Sequence, residues 1–240
     1  MSNSKDMIRE LDEQAAKKEA DFMNHIASRL QRSRITEKPQ HPFRGAPDFW
    51  NAYELPLDKR VRLFMENWTG IGGMAERFST MAGAFRYITD VVKTMQAKYI
   101  IRWDDPEFEK GHFDENHPDT EITVWNEQVN EHLISKAAGA DIGIAMVDYA
   151  IAHTGTVVAM SGNTKGRSVS LLPTVFIAIV RAEDIKTRMG EVVKDLQARF
   201  GTNLPAGIHF ITGPSRSSDI ENDLTIGVHG PGIVYALVVG

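Results

Sequence analysis

The chain has 240 residues, 42% of them hydrophobic, with a formal charge of -5 and a pI near 5.9. That length can bury a full core, and the acidic balance gives no electrostatic footprint for nucleic acid or an anionic membrane. Cysteine is absent, which excludes disulfides, thiolate zinc sites, a cysteine nucleophile and iron–sulfur clusters held by this chain's own thiolates.

From Lys5 to about Gln31, Met7, Ile8, Leu11, Ala15, Phe22, Met23, Ile26 and Leu30 recur at helical steps, which predicts one long amphipathic helix. Its first half has too few large apolar side chains for a core helix, so it is expected to form an arm. The residues around it lack the apolar segment of a signal peptide, and no run reaches the roughly 18 apolar residues of a membrane span, so a cytoplasmic protein is expected. A proline-rich linker, Lys38 to Pro47, follows; missing amide donors and fixed φ angles disfavour helix and sheet there. Phe43, Phe49, Trp50 and Tyr53 are expected to lay this linker on the body. The chain therefore divides into an arm and linker, residues 1–55, and a body, residues 56–240.

A second helix is expected from Asp58 to Trp68, then the cluster Gly70-Ile71-Gly72-Gly73, then a third helix from about Met74 to Ala97 with a break near Gly83. Tyr99-Ile100-Ile101 reads as a strand. The acidic segment Asp104 to Glu121, which includes His112, Asp114 and His117, reads as a solvated, partly mobile insertion, and no metal site is assigned to it. A helix over Asn126–Ala138 and strands over Asp141–Val147 and Thr156–Met160 follow. Thr174–Val180 is continuous, β-branched and bounded by Pro173 and Arg181, the strongest strand signal in the chain. A helix over Glu183–Phe200 and strands over Gly207–Thr212 and Ile233–Val239 complete the pattern. Strands apolar on both faces and separated by helices predict an α/β fold, a mostly parallel sheet with helices on both faces. The short connection after Asp219 leaves room for antiparallel pieces in the closing pair.

Three polar loops carry candidate chemistry. Asp148 to Thr156 reads as one or two helical turns capped by Asp148 and stopped near Gly155, delivering Thr154 and Thr156 to a strand; a turn that only satisfies its own backbone fits equally. Ser161 to Ser168 combines glycines, small donors, Lys165 and Arg167, and Arg167 suits a bidentate contact to carboxylate or phosphate. Its glycines are too close for a Walker A loop, and Gly70 to Gly73 lacks the preceding strand and third glycine of a dinucleotide fingerprint. Gly213-Pro214-Ser215-Arg216-Ser217-Ser218-Asp219-Ile220-Glu221 reads as a strand running into a turn and a helix start, with Ser218 and Glu221 at capping-box spacing and free amides available to an anion. His229, in Gly227-Val228-His229-Gly230-Pro231, is the histidine best placed to donate to that anion, or to bond nearby backbone.

Asp148 to Thr156, Gly166 to Pro173, Gly213 to Glu221 and Gly227 to Pro231 together closely resemble the lactate-utilisation protein C family (LutC, the LUD domain), in order and spacing over roughly Asp141 to Gly240. The resemblance implies a fold akin to the sugar-phosphate isomerase and coenzyme A transferase group. It also implies a non-redox subunit in the oxidation of L-lactate to pyruvate, beside two partner proteins that carry the iron–sulfur clusters, with no cofactor in this chain. Position 153 is His where relatives carry an acidic residue before Thr-Gly-Thr, and the family supplies no established catalytic residue.

The expected ligand site therefore comprises Thr154, Gly155, Thr156, Arg167, Ser168, Gly213, Pro214, Ser215, Ser218 and Asp219, with Asp148 or His229 as proton carrier and a small carboxylate or phosphate as ligand. An assembly subunit without a ligand site, docking through the N-terminal helix and linker, and a stand-alone isomerase or transferase of the related fold are the rival expectations.

Overall fold

The computed structural model describes residues 2–37, 53–128, 131–218 and 223–240. It forms two compact units, Met1–Tyr53 and Glu54–Gly240. Most of the proline-rich linker, including Phe43, Phe49 and Trp50, lies outside the described residues. In the first unit the helical spacing gives one helix, α1 (Ser2–Arg29), on which Met7, Ile8, Leu11, Phe22 and Met23 are exposed.

The second unit begins with α2 (Leu57–Gly70), β1 (Met74–Phe78), α3 (Met81–Met95), β2 (Tyr99–Trp103), α4 (Pro106–Lys110), β3 (Glu121–Trp125), α5 (Leu133–Ala138) and β4 (Ile142–Met146). It continues through β5 (Tyr149–Ile151), β6 (Thr156–Ser161), α6 (Ser168–Leu171), β7 (Val175–Arg181), β8 (Ile185–Lys186), α7 (Met189–Phe200), β9 (Gly207–Ile211), β10 (Arg216–Ser217), β11 (Thr225–Ile226) and β12 (Ile233–Val239). Six strands pair in parallel in the order β1-β12-β7-β4-β2-β3.

Side chains alternate across a strand, so an apolar run such as Val175–Val180 must be buried on both faces. Phe176, Ala178 and Val180 pack on one side with Val61, Phe64 and Trp68 of α2, while Val175, Ile177 and Ile179 pack on the other with Phe85, Ile88 and Val92 of α3. Helices thus cover both faces, as the pattern predicts. A second sheet, β8-β5-β6-β9, lies on the α2 side; β6 pairs antiparallel with β5 and β9, and its outer face closes over Val192 and Leu196 of α7.

Several local expectations are corrected. Met74–Phe78 is a strand, because its alignment beside Tyr235–Val239 outweighs the helix propensity of Met, Ala, Glu and Arg. Asp148–Thr156 holds no capped α-helix: β5 runs into a single 3₁₀ turn, Ala152–Thr154, and the Asp148 carboxylate bonds elsewhere. Glu183–Phe200 starts with a 3₁₀ turn and β8, and the helix begins only at Met189, where the Glu191 carboxylate accepts from the Thr187 and Arg188 amides. In Asn126–Ala138 the described helix covers only Leu133–Ala138.

Arg216–Ser217 pairs with Thr225–Ile226 as a short ribbon; Asp219 and Glu221, where the helix start is expected, lie outside the described residues. The acidic insertion is anchored. Phe108 and Phe113 are buried against Phe85, and the buried Arg102 guanidinium donates twice to Asp114, at 2.8 and 2.6 Å.

Candidate functional site

The main sheet changes direction at one place. After β2 the chain moves outward to β3, whereas after β4, on the other side of β2, it moves the opposite way to β7. Divergent connections leave a crevice at the carboxyl ends of β2 and β4. Asp104 and Asp105 follow β2, Asp148 follows β4, and Arg181 ends β7. The loop between β6 and α6 folds over this edge: the Asp104 amide donates to the Thr164 carbonyl at 3.1 Å and the Glu127 amide to that of Asn163 at 3.1 Å.

That loop delivers Lys165, whose Nζ donates to Asp148 Oδ1 at 2.9 Å and stands 5.1 Å from the centre of the Trp103 ring. Asp148 Oδ2 accepts from the Met160 amide at 2.8 Å, and its side chain is only 9% exposed. A cavity of about 250 Å³ opens beside the pair, lined by Asp105, Asp148, Lys165, Arg181, Asp184 and Arg199. Arg181 Nη2 lies 3.3 Å from Glu107. The Lys110 hydrogen bond, with help from Arg181, holds the Glu107 carboxyl below the ordinary range. Burial, followed by the Glu183 charge, pushes the Asp184 carboxyl up.

A separate polar group forms at the amino edge. Thr154 Oγ1 lies 2.7 Å from Thr156 Oγ1, which lies 2.8 Å from Thr212 Oγ1. Gly155, at φ 58°, sits against the Asn67–Trp68 backbone of α2, and the Asn67 amide donates to the Ala152 and His153 carbonyls. Gly213, at φ 73°, packs on Ile71, and Arg216 donates to the Ile71 carbonyl. Pro214 is buried, and the Ser215 amide donates to the Pro231 carbonyl at 2.9 Å, just before β12. Ser218 and His229 are exposed.

The expected residues therefore divide. Thr154, Gly155, Thr156, Gly213, Pro214 and Ser215 share the amino edge, whereas Asp148 lies at the carboxyl edge, level with the end of β7. The length of β12 between these edges is roughly 20 Å at about 3.3 Å per residue. Arg167, exposed, and Ser168 open α6. On the face of β6 and β9 turned toward the main sheet, Ser161 Oγ lies 2.9 Å from His209 Nε2, and burial, followed by the Arg167 charge, lowers the His209 pKa. Alternation along β6 puts Thr156 on the opposite face from Ser161.

The sequence reading missed Arg181, Asp184 and Arg199, and noted Lys165 only as a cation of its loop, giving the ligand contact to Arg167. For Arg181 and Asp184 the signal was positional, since residues at and just after the end of a buried parallel strand stand at the edge where such sheets bind ligands; Lys165, after the antiparallel β6, and Arg199, in α7, carry no such signal. Chemically, this edge offers point charges and hydrogen-bond donors around a small cavity. Among the described residues, no three His, Asp or Glu side chains gather as metal ligands, and no helix is long and apolar enough to cross a membrane.

The LUD domain family model matches residues 61–239. Lactate utilization protein C of Halalkalibacterium halodurans is 38% identical over 213 residues, covering 88% of this chain and 92% of that protein. The protein of the same name from Bacillus subtilis is 34% identical over 220 residues, covering 88% and 91%. Among solved structures, a DUF162 family protein from Deinococcus radiodurans matches with a TM-score of 0.56 at 19% identity, covering 78% of this chain and 99% of that one, a likeness of fold. A parallel sheet of this order, matched by the family model over nearly the whole second unit, makes the chain a member of the LUD domain family.

Proposed function

We propose that the chain is a non-redox component of L-lactate degradation in the cytoplasm, acting with two iron–sulfur partner proteins in the oxidation of L-lactate to pyruvate and itself binding a small anionic ligand. The observation that carries this reading is the 38% identity to a lactate utilization protein C over 92% of that relative's length. A chain without cysteine has no thiolates of its own for a cluster, so the electron-carrying centres are assigned to the partners.

Of the two polar regions, the carboxyl-edge cleft supports anion binding better. It has a cavity and Lys165, Arg181 and Arg199 on its wall. At the amino edge the threonine hydroxyls satisfy one another and Arg216 is committed to a carbonyl. The test is growth on L-lactate as sole carbon source after deletion of the gene. Growth fails if the reading holds, and normal growth removes the pathway assignment.

The exposed apolar side chains of α1 favour a second role in assembly. Removal of residues 1–38 abolishes co-purification of the partners, with ligand binding intact, if α1 is the docking element. Unchanged co-purification excludes it.

A further inference from the structure

We propose that Ser161 and His209 form a nucleophile–base pair that cleaves esters of short carboxylic acids, an activity that does not rest on the lactate reading.

Two strands of the second sheet build the pair. Ser161 ends β6 and stands directly across from Gly207 on the antiparallel β9, and His209, two residues on, turns its ring to the same face. Ser161 Oγ and His209 Nε2 are 2.9 Å apart. A Cβ at position 207 would lie 2.7 Å from that nitrogen and 2.9 Å from that oxygen, so the ring reaches the hydroxyl because residue 207 has no side chain. Ser161, Gly207 and His209 are all half-buried, within reach of a small solute. Behind them on the same face Val157 and Ala159 are buried, which closes the site to a long acyl chain.

A hydroxyl is a weak nucleophile until a neighbouring base takes its proton. With the proton of the neutral imidazole on Nδ1, Ser161 donates to Nε2, and its proton has an acceptor in place. Burial, followed by the Arg167 charge, lowers the His209 pKa and so keeps the ring in that accepting form at neutral pH. Arg167 is the charged group whose field the ring feels, and Ser161 the polar group it touches.

The same guanidinium suits the charge that develops on an ester. Addition to a carbonyl builds one negative charge on one oxygen, which one cation can meet. A phosphoryl group spreads its charge over three oxygens and calls for more than Arg167. Water is the sole co-reactant. Ser161 Oγ bonds to the carbonyl carbon as its proton passes to Nε2; the carbon–oxygen bond to the alcohol then breaks, and the alcohol leaves with that proton. Water repeats the sequence on the acyl-serine, which releases the free acid and restores the hydroxyl.

The experiment treats the full chain with p-nitrophenyl acetate and p-nitrophenyl octanoate, follows nitrophenolate release as a function of pH, and locates acyl and fluorophosphonate adducts by peptide mass. An adduct on Ser161 is expected, with the acetate reacting at least about tenfold faster than the octanoate. Ser161→Ala loses the adduct, His209→Asn slows its formation on the order of a hundredfold, and Gly207→Ala and Arg167→Gln slow it severalfold. The rate rises with pH through a midpoint below 6.5, because the lowered pKa frees the accepting nitrogen at more acidic pH than in an unburied imidazole. Thermal melts verify that each variant folds. No adduct on Ser161, an adduct that forms as fast in His209→Asn, or ester cleavage that persists unchanged in Ser161→Ala overturns the inference.

Discussion

Gly155 shows how a residue's reason can change once its neighbours are known. Its spacing after Thr154 reads as a helix stop; in the fold a Cβ there would lie 2.6 Å from the Trp68 amide nitrogen, at a φ of 58°. Backbone strain and overlap with a main chain that cannot yield predict that Gly155→Ala costs about 2–4 kcal/mol in urea unfolding. Gly162→Ala, where nothing lies within 4 Å of the new carbon, is expected to change stability by less than about 0.5 kcal/mol.

His209 gives a pH dependence whose sign follows from its lowered pKa, caused by burial and then by Arg167. The unfolded imidazole, at 6.5, gains its proton at higher pH than the folded one. Its contribution is therefore complete above 6.5 and lost as pH falls through the folded value. The urea midpoint of wild type should drop between pH 7.5 and 5.5 by more than that of His209→Asn; equal drops would remove His209 from the acid limb.

At the scale of elements, helix ends were less readable than buried strands. Thr80 caps α3, its Oγ1 accepting from the Gly83 amide at 3.2 Å. Thr80→Ala is expected to cost about 1 kcal/mol, measured by chemical denaturation. The sequence places a helix from about Met74 to Ala97, broken only near Gly83, because Met74, Ala75, Glu76 and Arg77 are good helix formers and nothing local announces a strand. The partner that makes Met74–Phe78 a strand lies at Tyr235–Val239, about 160 residues away along the chain, and long-range pairing leaves no local trace. Val175–Arg181 was readable within one residue, since a run apolar on both faces has few other homes.

Across the whole molecule, Glu54–Gly240 contains all three apolar clusters. The chain lacking residues 1–53 is expected to keep a single cooperative thermal transition and an α/β circular dichroism spectrum; a broad, non-cooperative melt would show that the unit cannot stand alone.

Sequence by itself determined the α/β class, the mostly parallel sheet and the family, because hydrophobic period and motif order are local properties that survive without coordinates. It also singled out Asp148 and the loop carrying Lys165 and Arg167. Only the tertiary structure decided which polar groups meet. Asp148 and Lys165 are 17 positions apart and bonded, while Thr154, only six positions from Asp148, belongs to the opposite edge. The strand β5 of the second sheet carries the chain from one edge to the other between them, so neighbours along the sequence are parted by a strand's length and residues of separate loops are joined at each end.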